Sequence, residues 1–111
     1  MLNLYFSHRY RKLSQSHFTT IRLSRGYWAQ KVGDRVNVFL RNGDKNQFLG
    51  VAQLYYLDSK PWREIPESLV YEDIGLSKTK AYLIFRAWYK NKPQWQGPNT
   101  LFDILFLKWI R

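Results

Sequence analysis

The chain contains no cysteine, and this absence excludes disulfides, thiolate metal sites and cysteine nucleophiles from its 111 residues. Histidine is nearly as scarce, since the sequence holds two, His8 and His17. A histidine-rich metal site would therefore lack ligands, and we expect neither a metal nor any other cofactor.

Long apolar runs are also missing. No segment approaches the roughly 20 consecutive apolar residues that a membrane-spanning helix requires. The apolar start at residues 1–6 meets Ser7, His8 and Arg9 before the core of a signal peptide could form. We therefore expect a soluble, cytoplasmic protein without a membrane partner.

Acidic residues are few. Asp and Glu number 8 against 18 Lys and Arg, which gives a formal net charge of +10. Aromatic residues reach 18%, with 5 Trp, 8 Tyr and 7 Phe, and a core of this size does not need so many. A positive field together with aromatic side chains that the core does not need indicates a polyanionic partner. The first candidate is RNA, either as a single strand or as a nucleoside. Charge alone also fits an anionic membrane surface, or a basic face that is merely solvated.

The hydrophobic pattern predicts one domain, residues 1–111, of the α+β class and mainly β. Strands are expected at 2–6, at 19–22, in a hairpin (35–41 and 47–57) and at 101–110, with helices at 8–13, 67–73 and 78–89. Gly50 predicts a bulge or a close backbone approach in the hairpin, and the apolar last strand is expected to be covered on both faces. This order suits a small closed β-barrel of about five to six strands with two to three flanking helices.

The strand around Thr19, Thr20, Ile21 and Arg22 is the first place to look for a site. Alternation directs Ile21 towards a core and directs Thr20 and Arg22 towards a cavity or groove. A guanidinium there offers a fork of donors for phosphate or a base edge. The alternative is that Arg22 pairs with a carboxylate such as Asp103, which would be costly if buried alone.

Cations interleaved with aromatic rings predict an RNA-binding surface, because cations neutralise phosphates while rings stack on bases. The candidate RNA-binding residues are Arg9, Arg11, Lys12, His17, Thr20, Arg22, Arg25, Tyr27, Trp28 and Trp95. By contrast, Trp88 shares a helical stripe with Ala81, Ile84 and Phe85 and is expected in the core. Trp62 and Trp109 are likewise expected to be structural.

These pieces, taken in order, resemble the ASCH family of the PUA-like superfamily. That family combines a Thr-Ile-Arg-like strand, a Gly-Asp turn, a strand containing glycine, a Trp-x-x-Ile-like segment, a helix and a closing apolar strand. The corresponding segments here are His17-Phe18-Thr19-Thr20-Ile21-Arg22, Val32-Gly33-Asp34, Phe48-Leu49-Gly50-Val51-Ala52, Trp62-Arg63-Glu64-Ile65, 77–89 and 102–106.

The resemblance implies a PUA-like barrel with a cleft beside the Thr-Ile-Arg strand, and RNA, a nucleoside or a modified base as ligand. Some members of the family remove the acetyl group of an acetylated cytidine nucleoside, and others are described as ribonucleases. The amidohydrolases use a lysine, a threonine three residues later, and a glutamate near the helix. The resemblance places His17 at the position of the lysine, Thr20 at that of the threonine, and Glu72 or Asp73 at that of the glutamate. A histidine therefore replaces the lysine of the family.

Three functions remain open. The first is an RNA-binding module without catalysis, which the substitution of lysine by His17 favours. The second is a hydrolase that uses Thr20, His17 and an acid at Glu72 or Asp73, with the histidine as general base. The third is an interaction protein that does not bind nucleic acid. The sequence leaves the oligomeric state open, with a monomer and a weak homodimer as the alternatives.

Overall fold

The structure is a computed structural model that describes residues 2–8 and 10–110. Its strands are β1 (Leu2–Phe6), β2 (His17–Leu23), β3 (Arg35–Asn42), β4 (Lys45–Pro61) and β5 (Leu101–Ile110). Its α-helices are α1 (Glu67–Ile74) and α2 (Lys78–Tyr89), and short 3₁₀ turns lie at Arg11–Ser14, Trp28–Gln30 and Trp62–Glu64.

The five strands form one mixed sheet in the order β1-β3-β4-β5-β2. The β1–β3 pair is parallel, and the three other pairs are antiparallel. A mostly β domain of the α+β class is therefore confirmed. Strands β1 and β2 are the two edges, and no backbone pairing joins them within the described residues, so the sheet is open rather than a closed barrel.

Strand β5 lies between β4 and β2 and carries four consecutive buried residues, 102–105. Because side chains alternate along a strand, these residues serve two cores on opposite faces. Leu105 and Leu107 join the core that the sheet encloses. Phe102 and Ile104 join a second core against α1 and α2. The prediction of a last strand covered on both faces is confirmed.

The hairpin of β3 and β4 turns at Gly43 and contains the expected bulge. Val38 lies opposite Gly50 but Phe39 lies opposite Phe48, so Leu49 is the extra residue. Gly50 has φ 143°, and a Cβ there would stand 3.3 Å from the Trp109 ring. Strand β4 runs on to Pro61, beyond the predicted end at residue 57.

Helix α2 has the predicted bounds and begins at Ser77, whose hydroxyl accepts the Lys80 N–H. The predicted helix at 8–13 is wrong, since the described chain there forms only the 3₁₀ turn.

Trp62 is buried as predicted, whereas the core assignment of Trp88 is wrong because 51% of its surface is exposed. Phe85 and Tyr89 of α2 contact Phe102 of β5, whereas Trp88 lies beside this contact and lines a cleft. Within the described residues, no helix has the length and hydropathy to cross a membrane.

Candidate functional site

The described residues enclose a cleft of about 280 Å³ where the free edge of β2 faces the end of β1. Helices α1 and α2 close its other side. Its aromatic lining includes Phe6, Tyr10, Trp88 and Tyr89. Its polar lining includes Lys12, Thr20, Arg22 and Asp73. The cleft therefore lies beside the Thr-Ile-Arg strand, at the location that the alternation of β2 predicts.

Lys12 and Asp73 form a buried ion pair in this cleft. The Lys12 ammonium lies 2.9 Å from Asp73 Oδ1, and the two side chains are 4% and 2% exposed. The Thr19 hydroxyl donates to the same oxygen at 2.7 Å. The ammonium also lies 5.0 Å from the ring centres of Phe6 and Tyr10, where the aromatic faces compensate part of its lost hydration.

Burial governs the ionisation of this pair. It lowers the pKa of Lys12 and raises the pKa of Asp73, while the attraction between the two charges opposes both shifts. Burial and the charge of Asp73 also raise the pKa of Tyr10. Burial therefore disfavours the charged form of each group, and each charge compensates the other.

Arg22 connects the two edge strands through its side chain. Its Nε donates to Thr20 Oγ1 at 3.1 Å, and one terminal nitrogen donates to the Tyr5 carbonyl of β1 at 3.0 Å. The guanidinium carbon lies 5.1 Å from the centre of the Phe6 ring. Arg22 is therefore fixed at the cleft wall with its planar group between aromatic and polar surfaces.

Asp103 does not form the pair with Arg22 that the sequence left open. The two residues are directly opposite in the β2–β5 register, yet no ion pair joins them in the described part of the chain. Asp103 Oδ1 instead accepts the Ser59 hydroxyl at 2.6 Å, and the buried Oδ2 has no hydrogen-bond partner there. Arg22 is thus directed to the cleft wall and not to this carboxylate.

The predicted catalytic residues are divided between two places. Thr20 and Asp73 line the cleft. His17 and Glu72 line a separate pocket of about 110 Å³, where the exposed His17 ring packs edge-on against Tyr55. Lys12 lines both. Sequence reasoning treated Lys12 as an RNA-binding cation and gave Thr19 no role, because no local signal reveals a partner 61 positions away.

The other predicted RNA-binding residues lie outside the cleft. Arg11 is exposed and lines a broader depression beside it, together with Lys12. Arg25 and Tyr27 are exposed, while Trp28 packs against the enclosed core and Trp95 against Tyr82. Arg9 lies outside the described residues.

Comparison with known proteins shows a fold likeness. No family model matches the chain, and no curated protein matches it. Among solved structures it resembles the crystal structure of protein EF3133 from Enterococcus faecalis V583, described under the family model DUF984. The TM-score is 0.63 and the identity 18%, over 84% of this chain and 60% of that one. The chain thus spans less than two thirds of its neighbour, and at this identity the likeness concerns the fold.

Proposed function

We propose that this protein is an RNA-binding module whose cleft receives one base or modified nucleoside of a single-stranded RNA. The observation that carries the proposal is a cleft at the edge of β2 that combines the Arg22 guanidinium and the Lys12–Asp73 pair with an aromatic lining. Aromatic surface stacks on bases of any sequence, and guanidinium and ammonium groups donate to base edges or phosphates.

The size of the cleft supports a small ligand. About 280 Å³ lies at the lower limit of the range for ligand pockets, which suits one base with its sugar and not a large cofactor. Trp88 at the rim is 51% exposed although it is a large apolar side chain. A base that stacked on this ring would remove apolar surface from water, which is a reason for such a ring to stand at a cleft mouth.

The charge of the chain supports the anionic partner. With a net charge of +10, the protein attracts a polyanion over a distance of about a Debye length. The exposed Arg11 lines the depression next to the cleft, together with Glu72 and the Lys12–Asp73 pair, and offers a cation where the sugar-phosphate chain of a bound RNA would continue. An RNA ligand also fits the cytoplasmic location expected from the sequence, which we include in the proposal.

The ASCH and PUA-like relationship belongs to the same proposal. A PUA-like barrel would bring β1 and β2 side by side. The Arg22 bond to the Tyr5 carbonyl and the contact of Phe6 with Phe18, 6.2 Å between ring centres, bring these two edges close together. We infer that the sheet is related to such a barrel, with β1 and β2 joined by side chains around the cleft instead of by backbone pairing.

Anisotropy of a labelled oligouridine tests the binding function. Binding should weaken steeply as salt rises from about 50 to 200 mM, because each neutralised phosphate releases counterions. The same oligouridine binding equally well at both salt concentrations, or not at all, would reject the RNA-binding proposal.

A hydrolase acting on an acetylated nucleoside is the second candidate, and the Lys12–Asp73 pair favours it. The cleft combines a lysine of lowered pKa, an acid of raised pKa and the Thr20 hydroxyl. Water would add to the acetyl carbonyl, the carbon–nitrogen bond would break, and the base amine would leave with one proton from the water, which gives cytidine and acetate. In this proposal Lys12 takes the role that the sequence assigned to His17.

Incubation with acetylated cytidine, followed by detection of acetate and cytidine, tests the hydrolase candidate. Lys12→Met and Asp73→Asn should abolish turnover, whereas His17→Ala should leave it unchanged because His17 lies in the other pocket. Circular dichroism of each variant verifies that it remains folded. Absence of turnover by the wild-type protein rejects this candidate and leaves the binding proposal intact.

A further inference from the structure

One part of the sheet surface carries aromatic rings that neither core uses. Helices α1 and α2 pack over the face of β2 and β5, through residues such as Ile21 and Phe102. On the strands at the other end of the sheet, Phe48 of β4 is 55% exposed. Its neighbours across the sheet on this face are Phe39 of β3 and Tyr5 of β1.

These three residues form a row that we call the aromatic ladder: Tyr5, Phe39 and Phe48. They are directly opposite one another in the strand registers. The Tyr5 and Phe39 ring centres are 5.3 Å apart with an interplanar angle of 20°, and those of Phe39 and Phe48 are 5.5 Å apart. The ladder therefore crosses three adjacent strands as one continuous aromatic surface.

The surroundings of the ladder are basic and polar. Along β3 the residues that share its face with Phe39 are Arg35, Asn37 and Arg41. The guanidinium carbon of Arg41 lies 4.4 Å from the Tyr5 ring centre, and Asn37 donates to Asn3 at 3.2 Å. In the described β1, β3 and β4 segments, the residues of this face that flank the ladder include no Asp or Glu.

This combination fits one occupant best. Rings on a sheet surface stack on the bases of single-stranded RNA, and arginines on the same face neutralise the phosphates between them. A second copy of the chain would bring Arg35 and Arg41 against their own like charges, and the described residues that flank the ladder on this face include no acid to compensate them. Charge complementarity therefore favours a polyanion over self-association.

The ladder is continuous with the cleft through Tyr5. The Tyr5 carbonyl accepts the Arg22 bond at the cleft wall, while its ring begins the ladder. We infer that the ladder is a second RNA-binding site, over which a strand continues once one of its bases occupies the cleft. The inference rests on the proposed function and extends it from a single base to a path of several nucleotides.

The test compares a labelled oligouridine with a mononucleotide, measured by anisotropy and by NMR titration. Phe48→Ala, alone and with Phe39→Ala, should weaken oligouridine binding about fivefold or more. It should leave mononucleotide binding in the cleft unchanged. Leu83→Ala is the matched control, because Leu83 is 58% exposed and lies on α2 away from the ladder.

Arg41→Gln provides a second readout that does not depend on removing a ring. It should reduce the slope of log affinity against log salt by about one, since one phosphate contact is lost. Phe48→Ala should leave that slope unchanged. A purely structural role for either residue would change thermal stability without producing this difference in salt dependence.

Three outcomes would overturn the inference. If the ladder variants bind oligouridine as tightly as Leu83→Ala does, the ladder is not a binding site and the cleft alone binds the RNA. A wild-type dimer in sedimentation that Phe48→Ala dissociates would make this face a contact between copies. If neither the mononucleotide nor the oligouridine binds the wild-type protein, the proposed function itself fails.

Discussion

Lys12 and Asp73 are 61 positions apart in the chain and form an ion pair of 2.9 Å whose side chains are almost wholly buried. Removing one partner leaves the other charge buried without compensation. Lys12→Met or Asp73→Asn alone should therefore lower the free energy of unfolding by about 3–5 kcal/mol. Lys12→Met combined with Asp73→Asn should cost far less than the sum of the two single changes, because no buried charge is left without its partner. Urea unfolding of the four proteins measures the coupling.

Arg63 and Glu64 provide the control for this experiment. Their ion pair is shorter, at 2.7 Å, but the side chains are 55% and 56% exposed. Arg63→Met should change the free energy of unfolding by less than about 1 kcal/mol, because water screens and solvates both charges. Equal costs for the exposed and the buried pair would contradict the role that we give to burial.

The pH dependence of the free energy of unfolding should reveal the raised pKa of Asp73. Its pKa is raised above the ordinary 3.8, so the folded protein holds a proton that the unfolded chain has already released. The contribution of Asp73 to stability therefore falls as pH rises through the raised pKa. In Lys12→Met the opposing ammonium is lost, the pKa of Asp73 rises further, and the decline extends towards neutral pH.

Urea unfolding of Lys12→Met and Lys12→Met/Asp73→Asn across the acidic range measures this effect. The difference in unfolding free energy between the two should change with pH, because Asn does not titrate. A constant difference would show that Asp73 titrates alike in the folded and unfolded chains.

Replacing Trp88 should weaken ligand binding with little effect on the free energy of unfolding. Its ring is 51% exposed, so Trp88→Ala should change the free energy of unfolding much less than a core substitution. The same change removes a stacking surface of the cleft and should weaken mononucleotide binding about fivefold or more. Leu83→Ala on the same helix, with 58% exposure, is the control. Unchanged mononucleotide binding by Trp88→Ala would exclude this ring from the site.

Gly50 should tolerate substitution worse than Gly43. Both have positive φ, but a Cβ at Gly50 would stand 3.3 Å from the Trp109 ring, whereas Gly43 has open space. Gly50→Ala combines backbone strain with crowding and should cost about 2–4 kcal/mol. Gly43→Ala should cost about 1–2 kcal/mol from strain alone. Thermal unfolding compares the two, and equal costs would contradict the close approach of Trp109.

Sequence patterns within one segment predicted the secondary-structure elements that depend on neighbouring residues alone. The stripe of α2 and the Ser77 cap specify Lys78–Tyr89, and the uninterrupted apolar residues of β5 predict a strand covered on both faces. Trp88 was misplaced because helical periodicity indicates which side of a helix is apolar. It does not indicate which edge of the apolar side meets the sheet: Phe85 and Tyr89 contact Phe102 of β5, and Trp88 is left at the cleft.

The sequence by itself determined the class of fold, the strand that carries Thr20 and Arg22, and the excess of positive charge, because alternation, turns and composition are properties of the chain. The tertiary structure decided which groups meet. It paired Lys12 with Asp73, separated His17 from Thr20, directed Arg22 to Tyr5 and not to Asp103, and aligned Phe48 with Phe39 and Tyr5. The Lys12–Asp73 pair joins residues distant in sequence and is buried, so it exists only when the chain has folded around it, whereas the strand registers bring the three rings into line.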